Sequence, residues 1–421
     1  MNERPDPPQE PEITPVPRRL LRPLQQFLET STASGTLLLI AAVLALAWAN
    51  SPWGSAYEEL WSTPSALRFG DRVIGEDLRH WVNDGLMTLF FLVVGLEIKR
   101  EFLTGELREW RAAALPVVAA VGGMLVPALI YLALNAGGLG VRGWGIPMAT
   151  DIAFALGVLL LAARHAPPGL RPFILTLAIV DDIGAILVIA LFYSEGIALG
   201  SLLIAAAVCV LMRVLWRVGI GSTAVFVGLG VIVWLATYVS GVHPTIAGVV
   251  LGLLVPAEDP REPVPPLAGA EQALLPWTSF LIVPLFAFAN AGVNLSGDRI
   301  ADALSSPVTL GVLLGLVIGK VAGISGAAAL ALWTRFARLP AGVRAPHLAG
   351  AAAVAGIGFT VSLLMAELAF DDRALIDEAK VGILAASVVS GALGWVLLRA
   401  APAVDGEGLS EDQGRRGSGD A

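Results

Sequence analysis

Residues 177–188 read LAIVDDIGAILV, which places Asp181 and Asp182 side by side in an otherwise apolar run. A charged side chain at the centre of a bilayer costs roughly 2.5–3.5 kcal/mol on insertion scales, so an ionisable residue there is a functional candidate by default. Two adjacent carboxylates repel when both are ionised, and burial penalises the charged form further. Such a pair holds protons as a coupled unit rather than as two independent acids. A small hard cation takes oxygen ligands and needs the carboxylates deprotonated, so protons and cation compete for one site. If that site faces either side of a membrane in turn and cannot cross empty, competition alone produces cation/proton exchange. No Cys or His lies nearby, which disfavours a transition metal. An oxygen-only set suits Na+ or Li+.

Three further charges fall well inside apolar runs: Asp84, Asp151 and Lys320 (VIGKVAG, 317–323). Asp151 belongs to GWGIPMATDIAFALG (143–157), where Pro147, Thr150 and Asp151 interrupt the run. A second interrupted run is AGIGFTVS (355–362), with Gly356 and Gly358. Paired Gly/Pro-interrupted segments point to partly unwound, crossing helices at a transport site. Such a crossing brings positive helix N-termini together and negative C-termini together. Asp151 is placed to offset the former and Lys320 the latter; alternatively, Lys320 pairs with Asp181 and exchanges its proton.

The elements that must position these groups are membrane spans. The chain of 421 residues is 56% hydrophobic and 15% charged, with a mean hydropathy of +0.75, against about 25% charged residues in a soluble domain. The pattern predicts an all-α polytopic protein with twelve spans: 34–50, 82–98, 113–134, 146–163, 172–193, 197–215, 221–240, 243–256, 274–293, 307–332, 346–369 and 377–399. Their lengths suit a hydrocarbon core of about 30 Å. Spans 3–5 and 10–12 form an inverted repeat in this reading, each with an interrupted helix at its centre. Core helices occupy about 113–193 and 307–399, and interface helices about 34–98 and 197–293.

Lys and Arg concentrate in alternate loops, as at Lys99, Arg100, Arg108 and Arg111, then Arg164 and Arg171, then Arg335, Arg338 and Arg344. By the positive-inside rule both termini are cytoplasmic. The opposite loops are nearly bare, with Arg142, Arg299 and Arg373, except the loop between spans 1 and 2, where Arg68, Arg72 and Arg79 are mixed with Asp71, Glu76 and Asp77. Residues 1–23 and 401–421 read as disordered tails around a membrane domain at 24–400, and no cleavable signal peptide is expected. One free cysteine, Cys209, offers no disulfide framework. The stretch SALRFGDRVIGED (65–77) suits a hairpin turning at Gly70-Asp71.

The chain resembles the NhaA family of bacterial Na+/H+ antiporters over about residues 24–400. The motifs that carry this are VNDGLMTLFFLVVGLEIKRE (82–101), ATDIAFALG (149–157), LAIVDDIGAI (177–186), SGVHPTIAGV (240–249), VPLFAFANAGV (283–293), IGK (318–320) and GIGFTVS (356–362). The resemblance implies a secondary transporter of the inner membrane rather than an enzyme, with Na+ (or Li+) and H+ as substrates and no cofactor. It implies roles in sodium and pH homeostasis. Asp182 corresponds to the principal ion-binding carboxylate and Asp181 to its partner. Thr150, Asp151 and Lys320 correspond to the interrupted-helix set, and Asp84 to an acid on the approach. An Asp-Asp pair implies electrogenic exchange, with more protons than Na+ per cycle. The family's homodimers use a hairpin at the position of 65–77.

For regulation, the resemblance implies activation at alkaline pH through charges at the cytoplasmic mouth, matched by Glu97, Arg100, Glu101 and Glu271, with His243 retained. Ala268, Gly269 and Gln272 replace basic and His positions around Glu271, so a different pH profile is expected. The nearest alternative is a proton- or Na+-coupled solute transporter on the same fold, which would need more polar groups than this lean set supplies. An intramembrane aspartyl protease would need a Gly-x-Gly-Asp element, absent before Asp181. Nothing suggests a channel filter or a nucleic-acid partner.

Overall fold

In hydrocarbon every backbone N–H and C=O must be satisfied within the segment, which leaves apolar runs of this length only the helix. The computed structural model describes residues 18–69, 72–162, 166–194, 196–258, 265–297 and 303–402. The expectations for residues 1–17 and 403–421 of the tails, the Gly70-Asp71 turn, Arg164 and Arg299 lie outside these residues.

In chain order the elements are α1 (Arg18–Ala49), α2 (Gly54–Trp61), β1 (Pro64–Phe69), β2 (Arg72–Asp77), α3 (Leu78–Thr104), α4 (Trp110–Asn135), a 3₁₀ segment (Leu139–Met148), α5 (Ile152–Ala162), α6 (Leu170–Phe192), α7 (Leu199–Val218), α8 (Thr223–Val239), α9 (Thr245–Leu254), α10 (Pro266–Asn290), α11 (Pro307–Trp333), α12 (Ala345–Val354), α13 (Phe359–Ala369) and α14 (Arg373–Ala400). Among the described residues, seven helices are long and apolar enough to cross a membrane, and three bent pairs bring the number to ten. Adding the shorter apolar helices α8 and α9 accounts for all twelve expected spans. Large apolar side chains point outward, among them Leu203, Val227 and Val388. This is an all-α, multi-pass membrane protein.

The two interrupted spans break where the sequence predicts, at Ala149–Asp151 and at Ala355–Gly358, and each bends by 47°. Several boundaries differ. The helix α1 continues back to Arg18 rather than starting at 34, so residues 18–23, expected in a disordered tail, are helical, and α10 starts at Pro266 rather than 274. The first half of span 4 begins at Leu139 rather than 146, and it is 3₁₀ throughout. Side chains at i and i+3 eclipse in that geometry, and here Gly140 and Gly143 occupy such positions. A Cβ on either would run into the Tyr131 hydroxyl or its surroundings, and that hydroxyl donates to Gly140 O at 2.7 Å.

The strands β1 and β2 pair antiparallel from Pro64↔Asp77 to Phe69↔Arg72, so the expected hairpin exists and two residues connect it. The helices pack in two groups. In one, α3 lies on α9 and α10, and α10 on α1; in the other, α11 lies on α4 and α14, α4 on α6, and α12 on α14. Glycine sets the closest approach in each group. A Cβ on Gly248 would meet Thr88 O of α3, and a Cβ on Gly122 or Gly323 would meet the other's carbonyl across the α4–α11 contact. Small residues serve this purpose in membranes, where packing rather than hydrophobicity drives association. The groups touch along a seam where α1 meets α5, α3 meets α6 and α10 meets α13.

Candidate functional site

Successive residues on an α-helix point about 100° apart, so Asp181 and Asp182 on α6 cannot face one way. Asp181 turns into the second packing group, where its Oδ2 lies 2.6 Å from Lys320 Nζ and 2.6 Å from Thr150 Oγ1. Both members of the Lys320–Asp181 ion pair are fully buried. Asp182 instead lines a cavity of about 110 Å³ in the seam.

Lys320 has three donors, and all three find acceptors: Asp181 Oδ2, Thr150 Oγ1 at 3.0 Å and Met148 O at 2.5 Å. Met148 ends the 3₁₀ segment, so the ammonium sits at a negative helix end and beside a carboxylate together. The two placements the sequence left open for Lys320, at a helix C-terminal end and beside Asp181, coincide in one geometry. Thr150 Oγ1 also lies 2.9 Å from Ala355 O, at the end of α12.

Asp151 works at the other pole. Its Oδ1 accepts from Phe154 N at 3.1 Å, in the first turn of α5. Its Oδ2 accepts from Thr360 N at 3.2 Å and Thr360 Oγ1 at 2.8 Å, in the first turn of α13. One carboxylate thereby satisfies an orphan N–H in each of two half-helices and offsets their dipoles. Asp151 N donates to Ile357 O at 2.6 Å, which ties the two breaks together.

Glu97, Thr150, Asp151, Ser279 and Thr360 share the Asp182 cavity. Asp181 Oδ1 and Asp182 Oδ1 are buried without a hydrogen-bond partner among the described residues. No group of three or more His, Cys, Asp or Glu side chains is close enough to hold a metal ion among those residues. The hydroxyl and carboxylate oxygens that line the Asp182 cavity are of the donor type a hard ion takes.

The structure brings some of the regulatory candidates together and separates others. Arg100 and Glu271 form an ion pair between α3 and α10. Glu101 accepts from Thr176 Oγ1 at 3.2 Å and from Glu106 N at 2.8 Å. His243 lies apart from these, with its Nε2 3.3 Å from Asp84 Oδ1. Thirteen residues separate Asp84 from Glu97 on α3, about 20 Å of helix at 1.5 Å per residue. Asp84 does not line the Asp182 cavity.

Three wide, π-helical turns were not legible in the sequence: Trp81–Leu86, Thr278–Ile282 and Gly315–Gly319. Such turns occur often at functional positions. Here one holds Asp84, one contributes Thr278 and Ser279 to the cavity wall, and one immediately precedes Lys320.

Comparison with known proteins adds an independent line. The family model described as Na+/H+ antiporter 1 matches residues 25–398. An Na(+)/H(+) antiporter NhaA from Caulobacter vibrioides is 48% identical over 396 residues, covering 92% of this chain and 94% of the relative. One from Nitrobacter hamburgensis is 46% identical over 386 residues, with 90% and 92% covered. Na(+)/H(+) antiporter NhaA 3 from Frankia alni is 44% identical over 407 residues, with 89% and 88% covered.

Proposed function

The chain belongs to the Na+/H+ antiporter 1 family, and from that premise we propose that it exchanges Na+ or Li+ for protons at Asp182 and Asp181 by alternating access. The observation that carries this reading is the division of labour within the Asp pair. Asp182 faces the cavity without a partner on Oδ1, while Asp181 is held by Lys320. Asp182 accepts an ion arriving through the cavity, and Asp181 joins only by giving up part of its contact with Lys320.

Two proton-bearing groups, the Asp182 carboxyl and the Lys320 ammonium, thus share the site with one cation. That supply supports electrogenic exchange with more protons than Na+ per cycle. Thr150 and Asp151 keep the crossed helix ends in register around the site. The protein serves sodium extrusion and pH homeostasis at the bacterial inner membrane, with both termini cytoplasmic. It assembles as a homodimer through the hairpin at 65–77, embedded in lipid. Glu97, Arg100, Glu101 and Glu271 tune its response to pH from the end of the bundle opposite the hairpin, and Asp84 with His243 acts near the hairpin end.

A coupled solute transporter on this fold fits less well. The cavity of about 110 Å³ falls short of the 300–1,000 Å³ typical of small-molecule pockets. The deciding experiment is Na+-driven collapse of a pH gradient in proteoliposomes with the membrane potential clamped. Proton movement that depends on Na+ and responds to potential supports the reading. Dependence on an added organic solute, or indifference to Na+, refutes it.

A further inference from the structure

The Asp182 cavity lies in the half of the seam away from the hairpin. Its wall on α3 runs from Phe90 to Glu97, on the Thr104 side of that helix's middle, on α10 from Leu275 to Val283, about its middle, and on α1 it includes Ser34 and Leu38, far from the Ala49 end that leads to the hairpin. At the hairpin end the same seam is occupied by charge that the site does not use. Arg79, buried at the start of α3, donates to Glu58 of α2 through two bonds of 3.0 and 2.9 Å and to Ala289 O of α10 at 3.2 Å. Across the seam, buried Lys380 of α14 pairs with Glu367 of α13 at 2.7 Å. Arg373 of α14 spans the two sides, 4.0 Å from Glu367 and 3.9 Å from Asp77 at the foot of the hairpin.

Between the two sides lies a polar crevice of about 580 Å³, bordered by Glu58 and Arg79 on one side and by Arg373, Asp377 and Lys380 on the other. Electrostatic attraction crosses it. Arg79 acts on Glu367, and Arg373 and Lys380 act on Glu58. Buried ion pairs add little net stability over apolar packing, and their best-attested use is to select one arrangement over another.

We propose that this cluster is an electrostatic latch. It holds the hairpin end of the seam closed while Asp182 is reached from the opposite end, and it separates when the site turns toward the hairpin. The latch rests on the exchange reading above, since only a site that faces both ways needs one. Arg373 is the cross-seam link because it alone reaches carboxylates on both sides among the described ion pairs, and its side chain is 45% exposed, so it can be replaced without opening a hole.

The test joins the seam covalently. Asp77→Cys and Arg373→Cys are introduced together in a Cys209→Ala background, and the purified protein is treated with a short, reducible thiol cross-linker before reconstitution. Cross-linked protein should lose Na+/H+ exchange and regain it on reduction, while Na+ still raises its melting temperature. Normal exchange by cross-linked protein, or failure of the pair to cross-link, overturns the latch. Loss of the Na+ effect on melting in the reduced protein would instead overturn the exchange reading. In a second arm, R373Q should speed amide hydrogen exchange at 289–293 and 367–373 severalfold and leave α6 unchanged; unaltered protection at those segments counts against the latch.

Discussion

Lys320 Nζ and Asp181 Oδ2 lie 2.6 Å apart with both side chains wholly buried. A pair of that kind is asymmetric in its consequences. Removing one partner strands a charge in the interior, at a cost of about 3–5 kcal/mol, whereas replacing both can be close to neutral. Lys320→Ala should therefore lower the melting temperature of the detergent-solubilised protein markedly. The double variant Asp181→Asn/Lys320→Met should recover much of that loss. Equal melting of wild type and Lys320→Ala would mean that the ion pair does not stabilise the fold.

Asp182 predicts the opposite balance. Its Oδ1 has no hydrogen-bond partner among the described residues, so an amide of the same shape in its place strands no partner. Asp182→Asn should fold and melt like wild type or slightly above it, yet move no protons in response to Na+ in everted vesicles. Exchange above that of protein-free liposomes would remove Asp182 from the mechanism.

Asp151 caps two half-helices through three donors, and each lost cap costs about 0.5–2 kcal/mol. Asp151→Ala should destabilise more than Thr360→Val, which deletes one hydroxyl and leaves the carboxylate to bind the remaining N–H groups. Melting curves of the two variants decide this, and the reverse order would contradict a shared cap.

The interrupted spans, the Asp pair and the placing of Lys320 against a helix C-terminal end or Asp181 were legible because charge is rare inside membrane spans and paired Gly/Pro interruptions mark broken helices. The divergence of Asp181 and Asp182 by about 100° follows from helical geometry, but which of the two meets Lys320 and which lines the cavity depends on packing. Other features were hidden for physical reasons. The His243–Asp84 contact spans 159 positions and joins α3 to the α8–α9 connection, a proximity no local pattern encodes. Arg79, Glu367 and Lys380 lie near the ends of apolar runs, where a charge ordinarily sits in the interface with water. Only the packing of α2, α13 and α14 shows that Arg79 and Lys380 are buried. The 3₁₀ form of Leu139–Met148 depends on Tyr131 of another helix, and composition alone extended that segment too little.

The glycine contact between α4 and α11 predicts a strict size limit. Gly323→Val would press its side chain into Gly122 O, and overpacking of this kind costs about 1–3 kcal/mol. Because α11 carries Lys320, displacement of the helix should reduce exchange as well as thermal stability. Unchanged activity and melting would show that the helices are not held at this spacing.

The central claim is that Na+ and protons compete for the oxygens of Asp181 and Asp182. It is tested most directly by adding Na+ to the purified protein in weakly buffered detergent solution, recording pH and bound radioactive sodium together. The account predicts that each Na+ bound releases protons into the medium, that acid suppresses binding competitively, and that Asp182→Asn does neither. Sodium bound by the wild-type protein with no proton released would contradict it.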